Sequence, residues 1–281
     1  MPRGGDVDGV IAIDVIAIRD LLRVVGPVEV DGVRYEYDNA VGELLRGQYE
    51  RAGDDADAND LRRDRLGDVA RAVFAEIEEG GWEVDRLASA MVDLVQGRHL
   101  MLWSSDGAAE DAWNEVGASG ALGTDSFSVA LLNRSGTKLD PFVEVTADLT
   151  TGGGVLDLTY TIHNDAPRNG PKYQVGPNDE DLDAGDHRAI VLVNVPAGST
   201  DLTIDGARTF MRGRDGPTEV IAAEITVARG EEAEVHVRAT LPDGLDHLVI
   251  EPSARVPETA WVVDGETVEW DRRRTVKIAD S

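Results

Sequence analysis

The 281-residue sequence contains no cysteine, three lysines and few aromatic side chains, which make up 5% of it. Without cysteine it has no disulfides, thiolate metal sites, iron–sulfur clusters or cysteine nucleophiles. The longest apolar run, residues 9–18, is interrupted by Asp14 and reaches about half the ~20 residues that a membrane-spanning helix needs. No segment is therefore predicted to cross a bilayer. Residues 1–9 lack an apolar stretch, so no secretory signal is predicted there.

Positive charge is scarce. The sequence has 27 basic and 54 acidic residues, and its formal net charge is −27. Nucleic acids and anionic lipid surfaces are bound largely through Lys and Arg, so neither is an expected partner. A solvated acidic surface is the simplest interpretation. Adaptation to high salt, where counterions screen the self-repulsion, is the alternative.

The first part of the chain alternates strand and helix patterns. Apolar residues 10–13 predict a strand, and Asp14 is the predicted N-cap of a helix over 15–25 that Gly26 and Pro27 end. Apolar residues at i, i+3, i+4 and i+7 predict further helices, with strands between them. The other predicted helices are 38–46, 66–79, 84–96 and 108–116, and the other predicted strands are 33–37 and 99–103.

From residue 126 onward the patterns are those of strands and turns. Residues 155–162 alternate apolar and polar side chains, which is typical of a strand with one solvated face. Similar runs lie at 127–132, 142–149, 189–195, 202–204, 219–227, 232–240, 247–250 and 261–263. Turns at 134–137 and 229–231 predict two hairpins. The predicted fold class is α+β: a partial α/β layer over residues 1–125, then an antiparallel β-sandwich over residues 126–281.

Several short segments occur in an order that resembles the family called domain of unknown function 4012. They are residues 9–14, 26–28, 38–40, 99–104, 133–140 and 162–167. The resemblance spans nearly the whole chain. Members of that family are typically membrane-anchored cell-envelope proteins, so the resemblance implies an extracytoplasmic location at the cell surface.

The first hundred residues are also similar, more distantly, to the second half of LytR-CpsA-Psr domains. Those domains transfer glycopolymers from polyprenyl pyrophosphate onto peptidoglycan. Gly26-Pro27-Val28 stands where that family has Gly-Gly-Val, and Arg46-Gly47-Gln48 retains one arginine of its Arg-x-Arg pair. The family's earlier half has no counterpart upstream of residue 9, so the chain is expected to be a partial copy of the domain.

Four arginines fall where this resemblance places a pyrophosphate site: Arg46, Arg62, Arg63 and Arg65. Guanidinium groups match phosphate oxygens, and a helix start adds free N–H groups. The alternative is a solvated helix whose arginines pair with neighbouring aspartates.

The metal predictions rest on acidic residues. Asp179, Asp181 and Asp183 form a cluster that could hold Ca²⁺, with an acidic loop as the alternative. The segment from residue 55 to 66 lacks the glycine and the glutamate of an EF-hand, and the five histidines lack zinc spacing. No cofactor is predicted, with Mg²⁺ or Ca²⁺ as the alternative.

Residues 133–140 are interpreted as a structural turn joining the two domains, with sugar binding as the alternative. Trp103, Trp113 and Trp261 could stack on sugars, although packing is the commoner role of tryptophan. No catalytic residue is proposed, because the serines lack a Gly-x-Ser-x-Gly elbow.

The predicted function is a noncatalytic surface or glycopolymer-handling module of the cell envelope. Its expected partner is an envelope glycopolymer or a polyprenyl pyrophosphate. One alternative is a LytR-CpsA-Psr-like phosphotransferase acting on polyprenyl-pyrophosphate-linked glycopolymer. The other is a salt-adapted soluble interaction domain.

Overall fold

The structure is a computed structural model that describes residues 7–49, 56–269 and 271–278, except for the side chains of residues 56–64. The chain divides into two compact units, Met1–Ala121 and Leu122–Ser281. The division falls close to the predicted boundary at residue 125. That the two units correspond to two separate domains stays a prediction.

The first unit combines five helices with four short strands in its described part. In chain order these are β1 (Gly9–Ile13), α1 (Val15–Val25), β2 (Val28–Val30), β3 (Val33–Tyr35), α2 (Ala40–Gly42), a π-helical turn (Glu43–Gly47), α3 (Ala56–Glu79), α4 (Val84–Gln96), β4 (Leu100–Ser104) and α5 (Gly107–Glu115). The strands form two antiparallel pairs, β1 with β4 and β2 with β3. β2 was not predicted, since three residues after Gly-Pro are too few for a recognisable pattern.

Helix α1 provides the core of the first unit. Asp14 caps it as predicted: its Oδ1 accepts the backbone N–H groups of Ile16 and Ala17 at 2.9 and 3.0 Å. The residues that α1 buries are Ile16, Ala17, Ile18, Leu21 and Leu22. The neighbouring helices α3 and α4 add Val69, Val73 and Leu94 to the buried set. Val69, Val73 and Leu94 are thus buried as the periodic pattern predicts, whereas Leu66 on α3 and Met91 on α4 belong to the same pattern and are 41% and 36% exposed.

The second unit consists almost entirely of strands. They are β5 (Ser126–Asn133), β6 (Val143–Gly152), β7 (Val155–Asn164), β8 (His187–Val195), β9 (Thr200–Asp205), β10 (Arg208–Asp215), β11 (Thr218–Val227), β12 (Glu232–Thr240), β13 (His247–Glu251), β14 (Ala260–Val263), β15 (Glu266–Val268) and β16 (Arg274–Lys277). A 3₁₀ turn (Asp140–Phe142) and helix α6 (Lys172–Val175) complete it. The two sheets have the orders β10-β11-β8-β5-β13-β16 and β15-β14-β6-β7-β12-β9, and neither closes into a barrel.

The predicted sandwich was antiparallel throughout, which is wrong in two places. β13 runs parallel to β5, and β14 runs parallel to β6. The segments that separate these partners along the chain are long enough to return a strand in the same direction, and parallel pairing requires such a connection. The sheets are therefore mixed.

Both predicted hairpins are also wrong. The turn at 134–137 leads from β5 to β6, and the turn at 229–231 leads from β11 to β12, yet each pair of strands lies in different sheets. The alternating pattern of a strand is the same whether the next strand pairs beside it or crosses to the facing sheet. A tight hairpin instead joins β6 to β7, at Gly153 and Gly154, whose positive φ angles suit glycine.

The two sheets share one apolar core. Side chains of β6 and β7 are buried at every second position, as predicted for residues 155–162. The large buried residues that fill the core include Phe127, Leu149, Leu158, Ile221 and Trp261. Burying one such side chain contributes about 1.5–3 kcal/mol, so this core is the main source of stability in the second unit.

Candidate functional site

A cleft of about 250 Å³ lies between α1 and α4 in the first unit. Its polar lining consists of two aspartates, two arginines and a serine, and its apolar lining of a valine and an alanine. These residues are Asp20, Arg23, Arg86, Ser89, Asp93, Val24 and Ala90. α1 packs its apolar face into the core, and polar residues that α1 and α4 keep outside the core form the walls of this groove.

One wall of the cleft is held in place by an aromatic ring. The guanidinium carbon of Arg23 lies 3.8 Å from the centre of the Tyr37 ring, and that of Arg19 lies 5.3 Å from it. Such cation–π contacts contribute about 0.5–1 kcal/mol at exposed sites. Arg19 also binds Asp20 through its Nε at 2.8 Å. The guanidinium of Arg23 and the carboxylate of Asp20 are therefore oriented before any ligand arrives.

The cleft is electrically balanced. Two aspartates and two arginines line it, so their formal charges cancel. Carboxylates accept hydrogen bonds, guanidinium groups donate them, and the Ser89 hydroxyl does both. This set of groups matches a ligand with many hydroxyls better than a highly charged anion.

Asp14 and His99 form a second polar arrangement in the first unit. The Nδ1 of His99 donates to the Oδ2 of Asp14 at 2.7 Å, while the other oxygen of Asp14 caps α1. The imidazole is buried against Gly97, where a Cβ atom would lie 2.7 Å from its Cδ2. The pair thus ties the start of α1 to the start of β4. Sequence analysis missed it, because the two residues lie 85 positions apart.

The predicted pyrophosphate arginines lie on two elements. Arg46 is exposed on the π-helical turn, while Arg65 on α3 places its Nη2 3.6 Å from the Oδ2 of Asp31. The Nε of Arg65 is buried and has no hydrogen-bond partner among the described residues. Arg62 and Arg63 belong to α3, in the stretch whose side chains lie outside the described part.

The acidic residues Asp179, Asp181 and Asp183 are not gathered into a metal site. The Oδ2 of Asp179 lies 2.7 Å from Nη1 of Arg188, and the backbone N–H of Asp183 donates to Asp186 at 3.0 Å. In residues 7–49, 56–269 and 271–278, no group of three or more acidic or histidine side chains is arranged to hold a metal ion. The predicted Ca²⁺ cluster is therefore without structural support.

Residues 133–140 form a turn whose polar side chains bind one another. Asn133 donates to the Oδ2 of Asp140 at 2.8 Å, and its Oδ1 accepts from the hydroxyl of Ser135 at 2.7 Å. The Ser135 hydroxyl also lies 2.7 Å from that of Thr137. These internal bonds favour the structural interpretation over sugar binding. The turn connects β5 to β6 inside the second unit, so the prediction that it joins two domains is wrong.

The second unit buries a group of titratable side chains that the sequence analysis did not single out. His187 and Tyr160 are fully buried, and neither the imidazole nor the phenol has a hydrogen-bond partner in the described part. Burial lowers the pKa of His187, the charge of Asp140 opposes that shift, and the charge of Arg255 adds to it. Burial also raises the pKa of Tyr160 above its ordinary value. The only sequence signal was a histidine at the start of an apolar run.

The three tryptophans considered for sugar stacking have different environments. Trp261 is 2% exposed, its Nε1 donates to Asp271 at 2.9 Å, and its ring packs edge-on against Phe127. It is a core residue, so stacking on a ligand is excluded for it. Trp103 on β4 is 47% exposed, and Trp113 on α5 is half-buried. Trp103 therefore keeps an accessible ring.

The chain is thus a mixed α/β protein made mostly of strands, with a helical cleft in one compact unit and two open sheets in the other. The family model described as "Protein of unknown function (DUF4012)" matches residues 1–49, which supports a relationship to that family. The matched segment includes α1 and Tyr37, and with them one wall of the cleft. Similarity to LytR-CpsA-Psr domains stays a prediction.

No curated protein matches the chain. A solved structure from Legionella pneumophila, provisionally named a nutrient binding protein, is similar over 44% of this chain and 54% of its own. The identity is 8% and the TM-score is 0.22. Among the described residues, no helix is both long and apolar enough to span a membrane.

Proposed function

We propose that this chain is a noncatalytic envelope module that binds the sugar units of a glycopolymer in the cleft between α1 and α4. The observation that carries the proposal is the charge-balanced lining of that cleft, with Arg23 held on the ring of Tyr37. The resemblance to envelope proteins supports an extracytoplasmic location for this activity.

The size of the cleft limits the ligand. Pockets for drug-sized molecules measure about 300–1,000 Å³, and this cleft of about 250 Å³ is slightly smaller. A single sugar ring, with neighbouring rings left in solvent, fits such a volume. Val24 and Ala90 offer a small apolar surface to the ring carbons, while the polar residues serve its hydroxyls.

The charge of the whole chain narrows the class of polymer. At a formal net charge of −27, the protein repels polyanions that approach from solution. The cleft itself is neutral in formal charge, so it offers no compensating excess of arginine. We therefore favour neutral or amino-sugar polymers over phosphate-rich ones.

The proposal is tested by titrating the full chain with neutral oligosaccharides, using chitotetraose and maltotetraose as probes in calorimetry. Arg23→Ala should weaken binding about tenfold, since it removes a charged hydrogen-bond donor. Arg71→Ala is the matched control, because Arg71 is an exposed arginine that pairs with Asp68 on α3. Equal binding by both variants, or no binding of either sugar, would contradict the proposal.

A second candidate is pyrophosphate binding by Arg46, Arg62, Arg63 and Arg65. The buried and unpartnered Nε of Arg65 favours it, because an unused donor suits a phosphate oxygen. Geranyl pyrophosphate with Mg²⁺ is the probe. If this candidate is right, Arg46→Ala and Arg63→Ala abolish binding while Arg23→Ala leaves it unchanged.

A further inference from the structure

Strand β10 (Arg208–Asp215) is an open edge of the second unit. It is the outermost strand of its sheet and pairs with β11 alone among the described strands. Every one of its residues is exposed. An edge strand directs alternate backbone N–H and C=O groups away from its neighbour, and these groups can pair with another chain.

The edge also exposes large apolar side chains. Phe210 is 50% exposed and Met211 is 43% exposed, and they are neighbours at an irregularity of the β10–β11 register. In the described part of the second unit, Leu132 is the other large apolar residue with comparable exposure. Adjacent exposed apolar groups on an unpaired edge are typical of an interaction surface.

The strand is basic in a strongly acidic protein. Its charged residues are Arg208, Arg212, Arg214 and Asp215. Two of the arginines form exposed ion pairs with β11, Arg208 with Glu224 at 2.7 Å and Arg214 with Glu219 at 3.4 Å. Exposed pairs of this kind are weak, so a partner carboxylate can replace them.

Arg212 is the arginine best placed to meet a partner. It donates to the backbone carbonyl of Leu202, and no carboxylate of the described residues forms an ion pair with it. Its charge is therefore still unmatched at the open edge.

We propose that β10 docks an acidic, extended segment of a partner protein, which adds to the sheet as a further strand. The free backbone edge requires a polypeptide, since a polysaccharide cannot continue the hydrogen-bond ladder. The arginines select acidic side chains at the positions opposite them.

A second copy of β10 is a poorer occupant of the edge. Pairing two copies would place the three arginines and the one aspartate of each strand beside those of the other strand. Like charges opposite each other in a sheet are destabilising, so self-pairing is disfavoured. The formal net charge of −27 opposes an acidic partner at long range, but the Debye length is about 8 Å at physiological salt, so a segment that reaches the edge meets the unmatched charge of Arg212 directly. The cleft between α1 and α4, by contrast, has as many aspartates as arginines.

The test measures fluorescence anisotropy of a labelled synthetic peptide of alternating glutamate and valine, with the full chain at about 0.15 M salt. The peptide should bind, and a lysine–valine peptide should not. An N-methylated glutamate–valine peptide should bind at least about tenfold more weakly, because it cannot form the ladder. The proposal would be overturned if the methylated peptide bound as tightly as the unmethylated one. Binding of dextran sulfate that depends on Arg212 would also overturn it, in favour of a general anion site.

Variants locate the surface. Arg212→Glu and Phe210→Ser should each weaken binding about tenfold. The matched controls are Arg71→Glu in the first unit and Leu132→Ser on β5, which should leave binding unchanged. Circular dichroism checks that each variant folds. Failure of the wild type to bind the acidic peptide, or equal losses in variants and controls, would also overturn the proposal.

Discussion

Strands β1 and β7 are both rich in apolar residues, but they have different environments. In β1, Val10 and Ile11 are 49% and 57% exposed. In β7, Leu158 and every second residue are fully buried. β1 belongs to a two-stranded pair, whereas β7 lies inside a six-stranded sheet that faces another. β7 is buried on one face because it has a neighbouring strand on each side and a second sheet packed against it, whereas β1 pairs with β4 alone among the described strands.

The structural features that stabilise the molecule are therefore different from those proposed to bind ligands. The second unit has a continuous core between two sheets, while the first unit buries α1 among helices and leaves a polar cleft at its surface. Proposed recognition of sugar lies in the helical unit. The proposed edge for an acidic peptide lies on β10, which among the described long strands is the one exposed on both faces.

The largest expected effects on stability come from truncating one buried side chain in the core of each unit. Leu158→Ala and Ile18→Ala should each destabilise the unit that contains it by about 2–5 kcal/mol, since both side chains are almost completely buried. If the units fold independently, each substitution shifts a different transition in scanning calorimetry. Ile11→Ala, at an exposed position, should change the free energy of unfolding by less than about 0.5 kcal/mol. A single transition shifted by both core variants would show that the units unfold together.

The second-largest expected effect is a decrease in the stability of the second unit at acidic pH. Burial lowers the pKa of His187 below its ordinary value of about 6.5, so the folded state favours the neutral ring. As pH falls below about 6.5, the unfolded chain takes up a proton that the folded chain does not, and stability falls by up to about 1.4 kcal/mol per pH unit. The decline ends below the folded-state pKa, where both states are protonated. His187→Gln should flatten this slope in urea unfolding measured between pH 7 and 5.

The exposed His247 has a pKa that is shifted in the opposite direction from that of His187. Asp246 and Asp125 raise its pKa, so its contribution is present in acid and is lost as pH rises through the folded-state pKa. His247→Gln should therefore leave the acid-side decline in place. If His247→Gln abolishes the decline and His187→Gln does not, the assignment to the buried ring is wrong.

The smallest effect concerns the first unit. Asp14→Ala removes both the cap of α1 and the bond to His99, and should cost about 1–2 kcal/mol. Asp14→Asn keeps a capping oxygen and should recover part of that loss. Chemical denaturation of the first-unit transition measures both variants. If Asp14→Ala is as stable as the wild type, neither the cap of α1 nor the Asp14–His99 hydrogen bond stabilises the first unit.

Much of the local structure could be predicted. Asp14, the periodic residues of α1 and the Gly26-Pro27 stop define that helix at its observed bounds, because capping and amphipathicity are properties of neighbouring residues. The alternation of residues 155–162 likewise predicted the buried face of β7. β10 was not predicted, because a strand exposed on both faces has no alternation of apolar and polar residues to detect.

The candidate site was only partly accessible to sequence reasoning. The arginines proposed for pyrophosphate were chosen by resemblance, whereas the observed cleft uses Arg23 and Arg86 on two separate helices. Nothing in either helix alone indicates that the other faces it. The Asp14–His99 bond was hidden for the same reason.

By itself, the sequence determined the acidic charge, the change from helical to strand patterns and the buried face of an alternating strand such as β7, because these depend on composition and on spacing within a few residues. Only the tertiary structure decided which strands share a sheet, that β13 and β14 return parallel to earlier strands, and which helix walls enclose the cleft. Those outcomes depend on contacts between distant residues, which local periodicity does not specify.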